Sequence, residues 1–129
     1  MYRMDVDKQH ALIDLVLDGL IRQEEMRKLA EEFKSIIRKL SGRSIKVKAD
    51  MRTLRASSPE VAEMLGEVQR YAVQHGVMRM AELVNSPLVA LQLNRLERES
   101  GAAKIVRRFG DDQTALHWLL HGERASLSA

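Results

Sequence analysis

Two histidines at a metal-ligand spacing are the first residues in this chain that could do chemistry. His117 and His121 lie four positions apart, so a helix would place both imidazoles on one face, where they could bind zinc. Zinc requires at least a third protein ligand. The chain has no cysteine, and Glu123 follows Gly122, a residue type that commonly ends helices. We therefore predict no metal site and no cofactor.

Carboxylates are the next candidates, because a pair of them can perform acid–base catalysis. The sequence frames no pair with apolar residues that would raise a carboxyl pKa for such work. Glu24, Glu25, Glu31 and Glu32, for example, fall on the surface of a predicted helix. The chain also contains no Gly-rich phosphate loop and no nucleophile elbow. We therefore predict a protein that is not an enzyme and that acts by binding.

A basic segment is a candidate anion site. Residues 38–55 include seven Lys or Arg but a single acid, Asp50, and such a cluster can attract an anionic partner. The alternative is a solvated surface. Nucleic acid is not favoured as the partner, because only 4% of the residues are aromatic, and stacking on bases needs exposed aromatic rings. The candidate anion-binding residues are Arg43, Lys46 and Lys48.

Hydrophobic periodicity predicts the elements that must position these groups. Residues 2–6 alternate and residues 11–17 form an apolar run, which together predict a β-hairpin. Beyond the hairpin, strands alternate with helices in the order ββαβαβαβα, which indicates an α/β fold. Its mixed sheet would join the antiparallel hairpin to three parallel strands. The later strands are predicted at 44–51, 77–84 and 103–109, and the four helices are predicted to begin near Arg22, Ser58, Asn85 and Gly110.

Charged residues occupy alternate positions of several predicted strands. Strands that are buried on both faces normally consist of continuous apolar runs. We therefore hypothesise that part of one sheet face is open to a partner, the alternative being that long lysine stems cover a thinly packed face. The residues concerned are Arg3, Asp5, Asp14, Lys46, Lys48 and Asp50.

Length and composition fit one globular domain. The chain has 129 residues, of which 45% are hydrophobic and 30% charged. We predict a single domain at 1–122 and a short C-terminal tail at 123–129. No stretch approaches the roughly 18 apolar residues that a membrane span needs, and residues 1–5 lack the apolar run of a signal peptide. A cytoplasmic protein is therefore expected.

Several short segments, taken in order, carry a family resemblance. They are Asp18-Gly19-Leu20, Glu24-Glu25-Met26, Ala49-Asp50-Met51, and the stretches 57–63, 79–88, 91–96 and 114–119. In this order the chain resembles the STAS-like proteins related to bacterial anti-sigma-factor antagonists, in particular a bacterial branch of small stand-alone domains. No single segment is a signature, and the resemblance covers nearly the whole chain.

The resemblance implies a regulatory or scaffolding module that binds a protein partner, or a second copy of itself. The region concerned is the strand, loop and helix around residues 50–60. The wider fold group also includes relatives of lipid-transfer domains, so the alternative is a carrier or sensor of a small apolar ligand. The chain's seven methionines could line such a pocket or simply pack the core. The candidate partner-binding residues are Asp50, Arg52, Arg55, Ser57, Ser58 and Glu60.

The resemblance also implies a phosphorylation site. Anti-sigma-factor antagonists carry a phosphorylatable serine between a central strand and the next helix, usually within Asp-Ser-x-Gly. The matching residues here are Ser57 and Ser58, where a phosphate would meet the free N–H groups of a helix start. This chain departs from the pattern, because residues 51–56 separate Asp50 from the serines and Pro59 follows instead of glycine. The alternative is that Ser58 is a plain helix cap.

Overall fold

The computed structural model describes residues 1–122, and the predicted tail at 123–129 lies outside the described residues. Within the described part the element order is the predicted ββαβαβαβα, with one short 3-10 helix added before the last strand. The elements are β1 (Tyr2–Asp7), β2 (Leu12–Gly19), α1 (Gln23–Lys39), β3 (Ile45–Leu54), α2 (Pro59–Gln74), β4 (Val77–Leu83), α3 (Pro87–Ser100), β5 (Val106–Phe109) and α4 (Asp112–His121).

The five strands form one mixed sheet in the order β1-β2-β3-β4-β5. β1 and β2 are the antiparallel hairpin, and β3, β4 and β5 are each parallel to their neighbours. The predicted α/β class and mixed sheet are therefore confirmed. None of the helices within residues 1–122 is both long enough and apolar enough to cross a lipid bilayer.

Three helices begin with a side-chain cap. Each cap satisfies a backbone N–H that the first helical turn would otherwise leave without an acceptor. In α2 and α3 a proline follows at the first helical position, where its missing N–H costs nothing. The caps accept hydrogen bonds as follows: Ser58 from the Val61 amide (3.3 Å), Ser86 from the Val89 amide (3.3 Å) and Asp111 from the Thr114 amide (2.8 Å).

The helices divide unequally between the two faces of the sheet. Buried side chains of α1, α2 and α3 share one large apolar core with β2, β3 and β4, and Phe33 of α1 is among its largest fully buried members. On the other face, α4 alone packs over a smaller cluster. That cluster joins Trp118 and Leu119 of α4 to Ala81 and Leu83 of β4. Within residues 1–122, α4 is the one helix on this face, and it leaves the hairpin side uncovered.

The open area agrees with the hypothesis of a partly uncovered charged face. Arg3 and Asp5 on β1 are exposed there, while a groove of about 400 Å³ separates α4 from the hairpin. Asp14 and Leu116 are among the residues that line this groove. Lys48 also lines the groove, where it donates to Asp112 at the start of α4. Among the described residues, the charged face is therefore open on the hairpin and bounded by α4 at β3.

Three predicted strand boundaries are wrong by two residues or more. β2 ends at Gly19 instead of at 17. β3 continues to Leu54 instead of ending at 51, because β2 extends beside it as far as Gly19 and pairs with Leu54. The last strand begins at Val106, not at 103, since residues 102–104 form the 3-10 helix. Gly101 precedes that helix in the left-handed conformation, with φ of 85°, which glycine adopts without strain.

Candidate partner-binding site

The loop between β3 and α2 lies where the parallel strands end, and a side chain from α3 fixes it. The Gln92 amide nitrogen donates to the Ser57 carbonyl at 2.8 Å, and the Ser57 amide donates to the Gln92 Oε1 at 2.9 Å. The Arg55 amide donates to the Gly19 carbonyl at 3.0 Å, which joins the same loop to the end of β2. The loop is therefore held from both sides.

Two leucines beside this loop are more exposed than is usual for their type. Leu88 and Leu91, on the first two turns of α3, are 60% and 66% exposed. Leu88 lies one helical turn before Gln92, so it is on the same side of α3 as the clamp. Leu20, which follows β2, is also exposed. We call this area the carboxyl-end surface and define it by Leu20, Arg55, Ser57, Ser58, Glu60, Leu88 and Leu91.

Four of the six predicted partner-binding residues share the carboxyl-end surface. Arg55, Ser58 and Glu60 are exposed, and Ser57 is half-buried under the Gln92 clamp. The leucines of α3 were missed in the sequence, because an apolar residue in a predicted helix is normally assigned to the core. The signal that was available is that Leu88 and Leu91 fall outside the buried stripe of Val89, Leu93 and Leu96.

Asp50 and Arg52 lie on the other face of the sheet, where they hold the start of α4. The Arg52 guanidinium donates to Asp50 at 2.8 Å and to Asp112, the first residue of α4, at 2.9 Å. The Arg52 hydrogen bond lowers the pKa of Asp50 below its usual range. These two residues therefore belong to a structural ion-pair network and are separate from the carboxyl-end surface.

The three candidate anion-binding residues do not converge on one site. Arg43 donates to the carbonyls of Lys8 and Gln9, and Lys46 donates to the carbonyl of His10 at 2.9 Å, so both brace the hairpin turn. Lys48 instead joins the α4 network, at 2.6 Å from Asp112 and 3.6 Å from Asp14.

The pKa shifts of the two lysines reflect these different surroundings. Burial lowers the pKa of Lys46, and the nearby positive charges of Arg79 and Arg43 add to the effect. Burial acts in the same direction on Lys48, but the hydrogen bond to Asp112 and the charge of Asp14 outweigh it and raise the pKa of Lys48. Lys48 thus neutralises carboxylates of its own chain.

A pair of buried carboxyl groups is a feature that the sequence analysis missed. Glu82 on β4 is 1% exposed, and Glu97 on α3 is buried beside it. One cation, Arg108 of β5, lies 3.3 Å from Glu82 and 3.5 Å from Glu97. Burial raises the pKa of Glu82 well above its usual value, and the hydrogen bond to Glu97 raises it further. The signal that was available in the sequence is that Glu82 lies between apolar residues of β4, which indicates a buried acid.

Comparison with known proteins addresses the fold directly. No family model matches the chain, and no curated protein matches it in sequence. Among solved structures, a DUF3478-family protein with a SpoIIAA-like fold from Shewanella loihica PV-4 superposes with a TM-score of 0.69 at 16% identity, covering 92% of this chain and 93% of that one. The chain has the SpoIIAA-like fold. The STAS-like resemblance is thereby confirmed at the level of the fold.

Two further structures with the SpoIIAA-like fold are similar over nearly their whole length. The Bacillus cell-fate determinant SpoIIAA in its phosphorylated form has a TM-score of 0.60 at 14% identity, with 90% of this chain and 96% of that chain covered. An anti-sigma-factor antagonist from Mycobacterium paratuberculosis has a TM-score of 0.59 at 11% identity, with 92% and 94% covered.

The interior of this SpoIIAA-like chain was also a candidate ligand site. The cavity between the helices and the sheet measures about 30 Å³, and Met51, Met80 and Phe33 help to line it. That volume holds about one water molecule, whereas pockets for organic ligands usually measure about 300–1,000 Å³. The methionines at this position therefore pack the core, and this cavity is too small for the predicted apolar ligand.

The two histidines of α4 lie close together, with no third ligand beside them among residues 1–122. The rings of His117 and His121 are 4.8 Å apart between centroids. Within residues 1–122, no group of three or more His, Cys, Asp or Glu side chains is placed to hold a metal ion.

Proposed function

We propose that this chain is a regulatory protein-binding module, without catalytic activity, whose protein partner docks on the carboxyl-end surface. The main support is the exposure of Leu88 and Leu91 beside a loop that Gln92 holds rigid. Exposed apolar side chains next to an ordered polar segment are typical of protein interfaces, where apolar anchors supply affinity and polar groups supply orientation. The SpoIIAA-like fold, shared with anti-sigma-factor antagonists, supports the same proposal.

Ser58 is the residue we propose as a control point of this interaction. Its side chain is exposed and caps α2, so a phosphate there would lie against the positive end of the helix dipole. Ser57 is less accessible, because it is half-buried in the loop that Gln92 holds. A bacterial cytoplasmic setting completes the proposal, and the similar solved structures named above come from bacteria.

The docking proposal is tested by affinity capture with paired leucine variants. The bait Leu88→Asp/Leu91→Asp places charge on the carboxyl-end surface, and Leu116→Asp on α4 serves as a matched control at another exposed leucine. Proteins captured by the wild-type chain and by the control, but lost with the double variant, are identified by mass spectrometry. Equal capture by the double variant and the wild type would refute docking on this surface.

The Ser58 proposal is tested by two substitutions that keep the helix cap. Aspartate and asparagine cap helices about equally well, but only aspartate adds a negative charge. We expect Ser58→Asp to change the affinity for the captured partner and Ser58→Asn to leave it close to the wild-type value, as measured by isothermal titration calorimetry. If both variants bind like the wild type, Ser58 is a structural cap and not a control point.

A further inference from the structure

The outer edge of β1 is a free edge of the sheet. Within residues 1–122, β1 pairs with β2 on one side and with no strand on the other. Edge strands expose unpaired N–H and C=O groups, and proteins commonly protect them with proline, charged side chains or a bulge. β1 reads Tyr-Arg-Met-Asp-Val-Asp and pairs with β2 in unbroken register, so it has no proline and no bulge. Its charged residues are of both signs, so a strand with the complementary order of charges can pair with it. Its edge is therefore able to accept another strand.

The pairing with β2 decides which backbone groups of β1 reach the free edge. The Asp18 amide donates to the Met1 carbonyl, and the Met1 amine donates to the Asp18 carbonyl, each at 2.7 Å, so these residues form a hydrogen-bonded pair. In an antiparallel ladder such pairs alternate with non-hydrogen-bonded pairs. The odd-numbered residues of β1 therefore point their backbone groups at β2. Those of Tyr2, Met4 and Val6 point outward.

We propose that this edge pairs with β1 of a second copy of the chain, antiparallel about a two-fold axis at Met4. In this register Met4 faces Met4 of the second copy, and Tyr2 faces Val6 in both directions. Each of these facing pairs has its N–H and C=O groups directed at the other strand, so each can form two hydrogen bonds. A two-fold axis makes the contact self-complementary and closed, which yields a dimer and not a filament.

Charge selects this register over its neighbours. Arg3 stands opposite Asp5 of the second copy, and Asp5 opposite Arg3, at the non-hydrogen-bonded positions where facing side chains are closest. A shift by two residues in either direction keeps the backbone directions but places Arg3 opposite Arg3, or Asp5 opposite Asp5. Like charges directly opposite each other destabilise a sheet. The register centred on Asp5 also places Arg3 opposite Asp7, but it keeps the Asp5–Asp5 repulsion. Among these three registers, only the one centred on Met4 pairs opposite charges without placing like charges opposite each other.

The surroundings of Asp5 favour an incoming cation. Asp5 is the direct neighbour of Asp14 in the β1–β2 ladder, which places two carboxylates side by side. Arg3 of the same strand lies 3.6 Å from Asp5, and both side chains are largely exposed, at 70% and 74%. Arg3 of the second copy would approach Asp5 from the side opposite Asp14 and offset the repulsion. This dimer edge is distinct from the carboxyl-end surface.

Charge reversal followed by mixing tests the proposed dimer. Asp5→Arg places arginine opposite Arg3, and Arg3→Asp places aspartate opposite Asp5, so each variant alone should self-associate about 10- to 100-fold more weakly than the wild type. An equimolar mixture of the two variants restores both opposite-charge pairs and should recover the dimer. Glu63→Arg, an exposed reversal on α2, is the matched control and should dimerise like the wild type. The self-association of all five samples, including the wild type, is measured by sedimentation velocity.

The variants are expected to fold, which keeps the test decisive. Asp5→Arg gives up the exposed Arg3–Asp5 pair, but it also places a cation opposite Asp14 and removes a like-charge pair, so its thermal melting by circular dichroism should be close to that of the wild type. A wild-type chain that stays monomeric up to about 1 mM would overturn the proposal. Single variants that dimerise like the wild type would also overturn the proposal. So would folded variants whose mixture does not recover the dimer.

Discussion

Replacing Glu82 by glutamine should make the protein more stable at alkaline pH. Glu82 and Glu97 are both buried against a single arginine, Arg108, and the Oε2 atom of Glu97 has no hydrogen-bond donor among the described residues. Two ionised carboxylates would leave one buried negative charge uncompensated, which is costly. A proton kept on Glu82 removes that charge and provides a donor between the two carboxyl groups.

The sign of the pH dependence follows from the raised pKa of Glu82. At pH values below the ordinary glutamate pKa, folded and unfolded chains both hold the proton, and its contribution to stability is fully present. As the pH rises, the unfolded chain releases the proton while the folded chain keeps it. The free energy of unfolding then falls by up to about 1.4 kcal/mol for each pH unit, until the pH passes the raised pKa of Glu82.

Glu82→Gln keeps the side-chain shape and has no proton to lose. Its amide can donate to Glu97 and its carbonyl can accept from Arg108, so the variant should match the wild type near pH 5. It should become increasingly more stable than the wild type toward pH 8, by up to about 1.4 kcal/mol per pH unit. The measurement is urea unfolding at a series of pH values, with the exposed Glu99→Gln on α3 as control. Parallel stability curves for Glu82→Gln and the wild type would refute the shared-proton reasoning.

Three further predictions concern α4 and the clamped loop. Asp112→Asn should lower the free energy of unfolding by about 1 kcal/mol at neutral pH. The difference from the wild type should vanish as the pH falls through the pKa of Asp112, which the Lys48 hydrogen bond lowers. A difference that persists in acid would contradict the ion-pair account. Trp118→Ala should lower the free energy of unfolding by about 3–5 kcal/mol, as measured by urea unfolding, because Trp118 is 7% exposed and its ring centroid lies 5.4 Å from that of Phe109. A loss below about 1 kcal/mol would mean that Trp118 does not hold α4 on the sheet. Gln92→Ala should accelerate hydrogen exchange at the Ser57 amide, whereas unchanged exchange would show that the clamp does not hold the loop.

The order and type of the elements were predictable, because each depends on local pattern. The helical spacing of Met26, Leu29, Phe33 and Ile37 in α1 appears in the sequence and is the face that the helix buries. The Ser-Pro starts of α2 and α3 are likewise local, since the capping hydroxyl and the backbone N–H that donates to it lie three residues apart. Boundaries were less predictable where a neighbouring strand decides them, as at Leu54, which pairs with Gly19.

The candidate site was predictable only in part, because exposure depends on what packs against each residue. Arg55, Ser58 and Glu60 follow the carboxyl end of β3, and the family resemblance predicted that this region binds a partner. From the sequence alone, Leu88 and Leu91 are predicted to be core residues. In the structure, α3 packs through the face of Val89, Leu93 and Leu96, which leaves Leu88 and Leu91 exposed.

Sequence by itself thus determined the α/β class, the hairpin and the succession of strands and helices, since periodicity reports which face of an element is apolar. Tertiary structure alone decided which charges meet. Lys48 and Arg52 reach Asp112 across 64 and 60 positions of chain, and Glu82, Glu97 and Arg108 come from three different elements. Ion pairs are set by the order of strands in the sheet and by the placement of each helix on it, and no local pattern carries that information.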